Sequence, residues 1–534
     1  MKFKTAFSTS FFIIIFSYSV IFCQSSGRFS VKDFGAKGDG VALDTKSIQS
    51  AIDKCSEAGG TVVFTSGKYL TGSLELKSNV NIFIGGGAVI LGSTNINDYT
   101  GHTPALKSYN DVFLKHSLFY AERVKNISIS GDGIIDGQGG SFKVMTKVKP
   151  DRYRNRPYII RFVECDNVKV ENITMRNSAM WMQQYLACRD LFIHGIRVYN
   201  HANQNNDMMD IDGCSNVIIS DCVGDTDDDG ITLKSTSPRI TENVVISNCV
   251  ISSHCNAFKL GTESTGGFRN ISISNLVIKP SDSKTKIYGF DAGICGINLS
   301  AVDGGILEGI TISNIRIDGP QVPIYLRLGN RGRKYSEDAP APGVGTYKNV
   351  MISNVTATNV GPVGCSITGI PGHYVNDISI DNIKIVFSGK GTKEDADKIP
   401  AELEDQYPEA TMWGNLPAYG FFIRHAKNIS LGNVDVSFEN SDVRPAVICS
   451  DVDGLKISGL TAECGENSAS LISLIDVKNA WINNSSPSSS TGLFVKISGP
   501  ESGGVKLTGN DFRLVKEIFN QKAKSLVKME GNVR

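Results

Sequence analysis

The chain has 534 residues, far more than one small core needs, so several domains or one long repetitive domain are expected. Lys+Arg and Asp+Glu both number 54, and this zero net charge removes any global electrostatic case for nucleic acid or an anionic membrane surface. With 41% hydrophobic residues it is not a disordered chain, and 54 Gly against 17 Pro fits many turns and few helices.

The first element is a predicted signal peptide over residues 1–23. Lys2 and Lys4 precede an apolar run from Phe11 to Phe22, which is too short and too Ser-interrupted for a membrane span. Cleavage is expected near Cys23, with a lipoprotein role for Cys23 as the alternative. The mature chain, 24–534, is expected to be a single exported domain, periplasmic or extracellular, with no membrane span. Residues Asp44 to Ala58 follow as an amphipathic helix, with Ile48, Ala51, Ile52 and Cys55 on one face.

Beyond the helix a short unit recurs. It opens at Asn126, Asn167, Asn216, Asn243, Asn270 and Gly309, and again at Asn349, Asp377, Asn428 and Gly454. The steps from Asn216 to Asn243 and from Asn243 to Asn270 are both 27 residues. Longer steps are the same unit carrying inserted loops. Within a copy, apolar and polar residues alternate, as in Val244, Ile246 and Cys249, which is a strand signature. Each copy is too small to bury its own apolar face, so copies must stack. The expectation is a right-handed parallel β-helix, with the Asp44–Ala58 helix capping its open N-terminal end and the last coils reaching about residue 515. The Asn-Ile-Ser triplets match a glycosylation sequon, but they read better as turn-plus-strand residues of the coil. The 12 cysteines contain no Cys-x-x-Cys pair, so a structural zinc site is not expected. Cys222 and Cys249 read as stacked buried thiols rather than a disulfide.

Stacking brings residues one coil apart to within about 5 Å. Asp228 and Asp229 fall 21 and 22 residues after Asp207, and His254 lies 25 residues after Asp229. All four can therefore share one face. Adjacent strand residues point to opposite sides, so a turn must separate Asp228 from Asp229, and Gly230 is expected to permit it. Crowded carboxylates raise one another's pKa, leaving one protonated beside ionised neighbours, as acid–base cleavage of a glycosidic bond requires. The plainer alternative is a solvated Asp-rich turn able to hold Ca²⁺.

These residues resemble glycoside hydrolase family 28, the polygalacturonase family. Asn205-Asn206-Asp207-Met208 is similar to its Asn-Thr-Asp-Gly, Asp227-Asp228-Asp229 to its Gly-Asp-Asp, and Ser253-His254-Cys255 to its Gly-His-Gly. Gly131 to Gly139, Ser178-Ala179-Met180-Trp181 and the entry from Phe29 to Asp44 also resemble the family, so the similarity runs from about residue 29 to at least 330. The resemblance implies a right-handed parallel β-helix and an inverting glycosidase acting on an acidic polysaccharide, most simply pectin (galacturonan or rhamnogalacturonan). Asp228 would be the general acid, and Asp207 and Asp229 would activate water. His254 would hydrogen-bond into the carboxylate set. No cofactor or metal is expected, and the chain is expected to be a monomer without a nucleic-acid partner. Carboxyl separations of about 6.5–9.5 Å are expected for an inverting pair.

The family's Arg-Ile-Lys motif, which holds the substrate carboxylate, is absent: its positions fall on Gly296 and Asn298, and a following tyrosine is lost near Asn330. Lys259, Arg327 and Arg331 are the candidate substrate-binding replacements, with Arg333 beside them. The insert from Glu402 to Tyr419 carries Tyr407 and Trp413, suited either to sugar contact or to packing the loop down. Two other readings stay open. One is a Ca²⁺-dependent polysaccharide lyase on the same fold, and the other is a non-catalytic carbohydrate-binding solenoid.

Overall fold

A computed structural model of the protein describes residues 27–110, 114–148 and 151–534. The expected signal peptide and Cys23 lie outside the described residues.

The fold is a right-handed parallel β-helix. Its paired strands run parallel from coil to coil, and the register passes unbroken through most of the stack. Along one side a single rung position is Val168, Leu191, Val217, Val244, Ile271, Ile310, Val350, Ile378, Ile429 and Leu455 in successive coils. All of these side chains are buried in one continuous apolar core. The alternation seen in the sequence is therefore core against solvent, and its repetition is each coil covering the apolar face of the last. The coils continue past residue 515 to a final strand, Val527–Glu530.

The recurring Asn has a backbone cause. Asn126, Asn167, Asn216, Asn243, Asn270, Asn349, Asp377 and Asn428 all have positive φ, as do Gly309 and Gly454 at the same point of their copies. Asn, Asp and Gly are the residues that tolerate this left-handed corner. The amides also stack: Asn243 Nδ2 donates to Asn216 Oδ1 at 3.3 Å and Asn270 Nδ2 to Asn243 Oδ1 at 3.2 Å. A second ladder runs through Asn248, Asn275, Asn314, Asn354 and Asn382. Backbone geometry and stacking account for the repeated triplets.

The cap is a helix over Thr45–Ala58, burying Ile48, Ala51, Ile52 and Cys55 as expected. The Asp44 side chain does not cap it but accepts from the backbone N–H of Lys37 (2.7 Å) and Gly38 (2.9 Å), fastening the entry loop. Cys222 and Cys249 are buried free thiols, as are the other described cysteines. Each donates to the carbonyl two residues before it, at 3.2 Å.

Another face of the same coils is quite different. Its rungs read Arg161, Gln184, Asp210, Thr232, Lys259, Asn298, Tyr325 and Ser366. Buried polar and charged groups on a β-sheet floor require partners, and these partners build the site.

Candidate active site

Asp207 lies two residues before the strand Met209–Asp212, and Asp228 and Asp229 form the corner between the strands Val223–Thr226 and Ile231–Ser235. One coil separates them, and one carboxylate oxygen from each of the three lies within 4.8 Å of the others. The corner is pinned from both sides. The Asp228 carbonyl accepts from Thr226 Oγ1 (2.9 Å) and Ser253 Oγ (2.6 Å), and the Asp229 N–H donates to Asp228 Oδ1 at 3.0 Å. Gly230 serves this corner differently from expectation. Its φ is not in the left-handed region, but a methyl group there would sit 2.3 Å from the Ala257 carbonyl oxygen. Close approach of the next coil, not turning, excludes a side chain.

The three carboxylates line a cleft of about 330 Å³, together with Arg152, Tyr153, Trp181, Asn205, Lys234, Glu263, Tyr288, Arg333, Tyr407 and Glu409. Their environments separate their protonation. Burial pushes Asp229 up, but Lys259 and Lys234 outweigh it and the net shift is downward. Lys259 Nζ donates to Asp229 Oδ2 at 2.8 Å, and Asn256 donates to Oδ1 from its side chain (2.6 Å) and its backbone N–H (3.2 Å). Asp228, half-buried, is pushed up to about 7 by burial and by the Asp229 charge. Asp207 is raised well above the usual carboxylate range by burial, then by Asp210, Asp228 and Asp229. One member of the set is thus fixed ionised while its neighbours retain protons, the division expected of groups acting as base and acid.

Comparison with known proteins agrees with this chemistry. The model of Glycosyl hydrolases family 28 matches residues 61–403. The chain belongs to this family. A probable polygalacturonase of Vitis vinifera is 33% identical over 229 residues, 41% of this chain and 46% of that protein. The chain thus spans about half the length of this curated relative. Among solved structures, a family 28 exopolygalacturonase of Yersinia enterocolitica aligns at a TM-score of 0.62 with 18% identity, covering 85% of this chain and 78% of that one. The exopolygalacturonase of Thermotoga maritima aligns at 0.59 with 20% identity, covering 77% and 92%. At such identities the two structures speak for the fold.

The family's motif residues are distributed unevenly. Asp207, Asp228 and Asp229 come together as expected, though with oxygens nearer than the separation expected for an inverting pair. His254 does not bond into that set. It is 1% exposed, and its Nδ1 lies 2.9 Å from Asp227 Oδ1 instead. Asp227 turns away from the cleft and accepts from the backbone N–H of Ile287 (2.6 Å) and Tyr288 (3.2 Å). His254 therefore holds the loop that carries Tyr288 into the cleft.

Of the substrate-binding candidates, Lys259 is at the site but is buried against Asp229, with a second bond to Tyr407 Oη at 3.0 Å. Arg327 is corrected by the structure: it is 1% exposed, donates to the carbonyls of Gly369 (3.1 Å) and Glu402 (2.5 Å), and lies 5.1 Å over the Trp413 ring. It anchors the 402–419 insert. Arg331 is likewise spent, as a fork on Asp303 (2.9 and 2.5 Å). Arg333, which lines the cleft, binds Glu263 at 2.6 Å and Asp303 at 3.0 Å. The insert packs down onto the coils and also reaches the cleft. Trp413 packs into an apolar cluster with Tyr325 and Phe422, while Tyr407 and Glu409 face the cleft.

Sequence reasoning missed Lys234, Glu263, Arg152, Arg156 and Tyr288. Lys234 Nζ lies 3.4 Å from both Asp210 and Glu263 and 4.6 Å over the Trp181 ring. Strand alternation could have found it, two residues after Thr232 on the floor rung; Glu263, its partner, lies past a register shift that alternation does not count. Arg152 and Tyr288 sit on inserts, where no period applies.

Proposed function

We propose that the chain hydrolyses glycosidic bonds in an acidic pectic polysaccharide by single displacement with inversion, and that it works outside the cytoplasm. The observation that carries the hydrolase reading is the carboxylate set from adjacent coils, its oxygens within 4.8 Å of one another and its protonation split by Lys259. Asp228, with its carboxyl near pH 7, gives its proton to the glycosidic oxygen as the bond to the anomeric carbon breaks. Asp229, held ionised, takes the proton of the attacking water, while Asp207, which retains its own proton, helps orient that water as a hydrogen-bond partner. A water ~2.8 Å from each of two carboxylate oxygens tolerates oxygens more than 5 Å apart, so the close spacing accommodates one shared nucleophilic water. That spacing also lies near the range of retaining enzymes, about 5–5.5 Å. The anomer released first, followed by proton NMR, separates the two: the inverted anomer supports the reading, the retained one defeats it.

The activity itself is tested by reducing-end release from pectic oligosaccharides. Asp228→Asn should fold normally and lose about 10²–10⁴-fold in kcat; near-normal turnover in that variant ends the assignment. The lyase reading is disfavoured because Lys259 already neutralises Asp229, and Asp207 and Asp228 are pushed toward their protonated forms, leaving few free carboxylates for a Ca²⁺ ion. Ultraviolet-absorbing products with a chelator-sensitive rate would restore it.

A further inference from the structure

The two walls of the cleft treat their positive charges differently. On the side of the later coils every cation near the cleft is already matched with carboxylate. Lys259 is 2.8 Å from Asp229, Arg331 is 2.5 Å from Asp303, and Arg333 is 2.6 Å from Glu263 and 3.0 Å from Asp303. Arg327 does not line the cleft. Asn298, at the place of the family's lost cation, spends its amide on Asn256 Oδ1 at 2.9 Å. Glu409 adds a further carboxyl to the lining of the cleft.

The wall formed by the earlier coils is the reverse. Arg152, in the turn Asp151–Tyr153, lines the cleft and has no carboxylate partner among the described residues. Its Nη2 donates to Gln204 Oε1 (2.9 Å) and to the Tyr288 hydroxyl, which itself donates to Gln204 Oε1 at 3.0 Å. Its Nε is buried with no acceptor. A guanidinium has five N–H donors, and neutral acceptors meet only part of that capacity. Arg156 stands behind it, also without a carboxylate, donating to the carbonyls of Ala179 and Gln204 and, at 3.0 Å, to Asn205 Oδ1. This fixes the Asn205 amide with Nδ2 toward Asp228 Oδ2, 3.5 Å away. An uncompensated arginine facing a cleft, with a second one buried behind it, is costly unless an anion completes it, and a planar fork suits a carboxylate.

We infer that Arg152 binds the carboxylate of a uronate on the earlier-coil side of the cleavage point, and that the sugar on the later-coil side is neutral. This rests on the hydrolase reading above and narrows its substrate to a bond between a uronic acid and a neutral sugar, as in an alternating acidic heteropolysaccharide. Arg156 is a positioning residue that acts through Asn205.

The experiment compares two size-matched oligosaccharide series, all-galacturonate and alternating galacturonate–rhamnose, in the wild-type protein and in Arg152→Gln and Arg152→Lys. The wild type should favour the alternating series by tenfold or more in kcat/KM. Arg152→Gln should raise KM about 10–100-fold on that series with kcat little changed, the loss of a charge-assisted pair. It should also abolish discrimination between the uronate and its methyl ester, and Arg152→Lys should recover part of it. Preference for the all-galacturonate series, or an equal loss on acid and ester, overturns the inference while leaving the hydrolase reading intact. Calorimetric titration of the alternating series into Asp228→Asn, with and without Arg152→Gln, supplies a readout independent of turnover. If the wild type releases no reducing ends, the hydrolase reading fails. The Arg152 assignment still stands on that titration, and falls if binding is absent or survives Arg152→Gln unchanged.

Discussion

One coil, two faces, opposite rules. On the Asn-ladder side much the same chemistry recurs from turn to turn: a left-handed corner of Asn, Asp or Gly, a buried aliphatic residue, an outward-facing one. On the cleft side the same register carries Arg161, Gln184, Asp210, Thr232, Lys259, Asn298 and Tyr325, no two neighbours alike. The first face is stabilised by burial that any apolar side chain of fitting size supplies, with each rung supporting only its neighbours. The second buries charge, and each buried charge needs one particular partner. Substitutions on the two faces should therefore fail in different ways.

The largest effects belong to the cleft. Beyond Asp228→Asn, the pH profile of the wild type is decisive. Asp228 acts as a proton donor with its carboxyl at about 7, so kcat should fall as pH rises through that value. Asp229 is held below its usual 3.8, so the acid limb should lie lower still. The same shift has a stability sign. Between 3.8 and about 7 native Asp228 binds more proton than the unfolded chain does, so its contribution to stability declines as pH rises through that window, and Asp228→Asn should remove the slope. Lys259→Met tests the partner rule. It leaves Asp229 buried with Asn256 as its side-chain hydrogen-bond partner and only the more distant Lys234 charge, should cost about 3–5 kcal/mol in chemical denaturation, and should move the acid limb of any residual activity upward. A stable variant with an unmoved limb would show that Lys259 does not set the charge of Asp229.

On the ladder face, Ile246→Ala opens a void between Ile219 and Ile273, its partners in the adjacent coils. About 2–5 kcal/mol should be lost, with kcat and KM unchanged for the folded fraction. An altered KM would mean that the faces are coupled.

The same division sets what the sequence disclosed. The β-helix, the capping helix and the stacked thiols were legible because period and alternation report burial. The three aspartates were legible because a motif on a coil of known period has a known neighbour. The roles of Arg327 and Arg331 were not, because inserted loops choose their partners: a carbonyl of the 402–419 insert in one case, Asp303 in the other. His254 was placed one residue wrongly, on Asp228 and its set rather than on Asp227, since alternation along a corner cannot be counted without the corner's geometry. Arg152 and Arg156, on an insert outside every repeat, were invisible.

The smallest effect separates the two contributions within the ladder itself. Asn243 sits at φ +55 and takes part in two stacked amide bonds, to Asn216 and from Asn270. Both are exposed, so together they should contribute no more than about 1 kcal/mol. Asn243→Ala removes the bonds and also forces a Cβ-bearing residue without a local hydrogen bond into the left-handed region, at roughly 1 kcal/mol more. Asn243→Gly removes the bonds but keeps the backbone unstrained, at some entropic cost to the unfolded side of the balance. Ala should therefore be the less stable of the two by denaturant midpoint. If Gly is instead as damaging as Ala, the amide stack rather than the corner conformation is what selects Asn at the head of the repeat, and the runs of Asn along this side are a hydrogen-bonded spine in their own right.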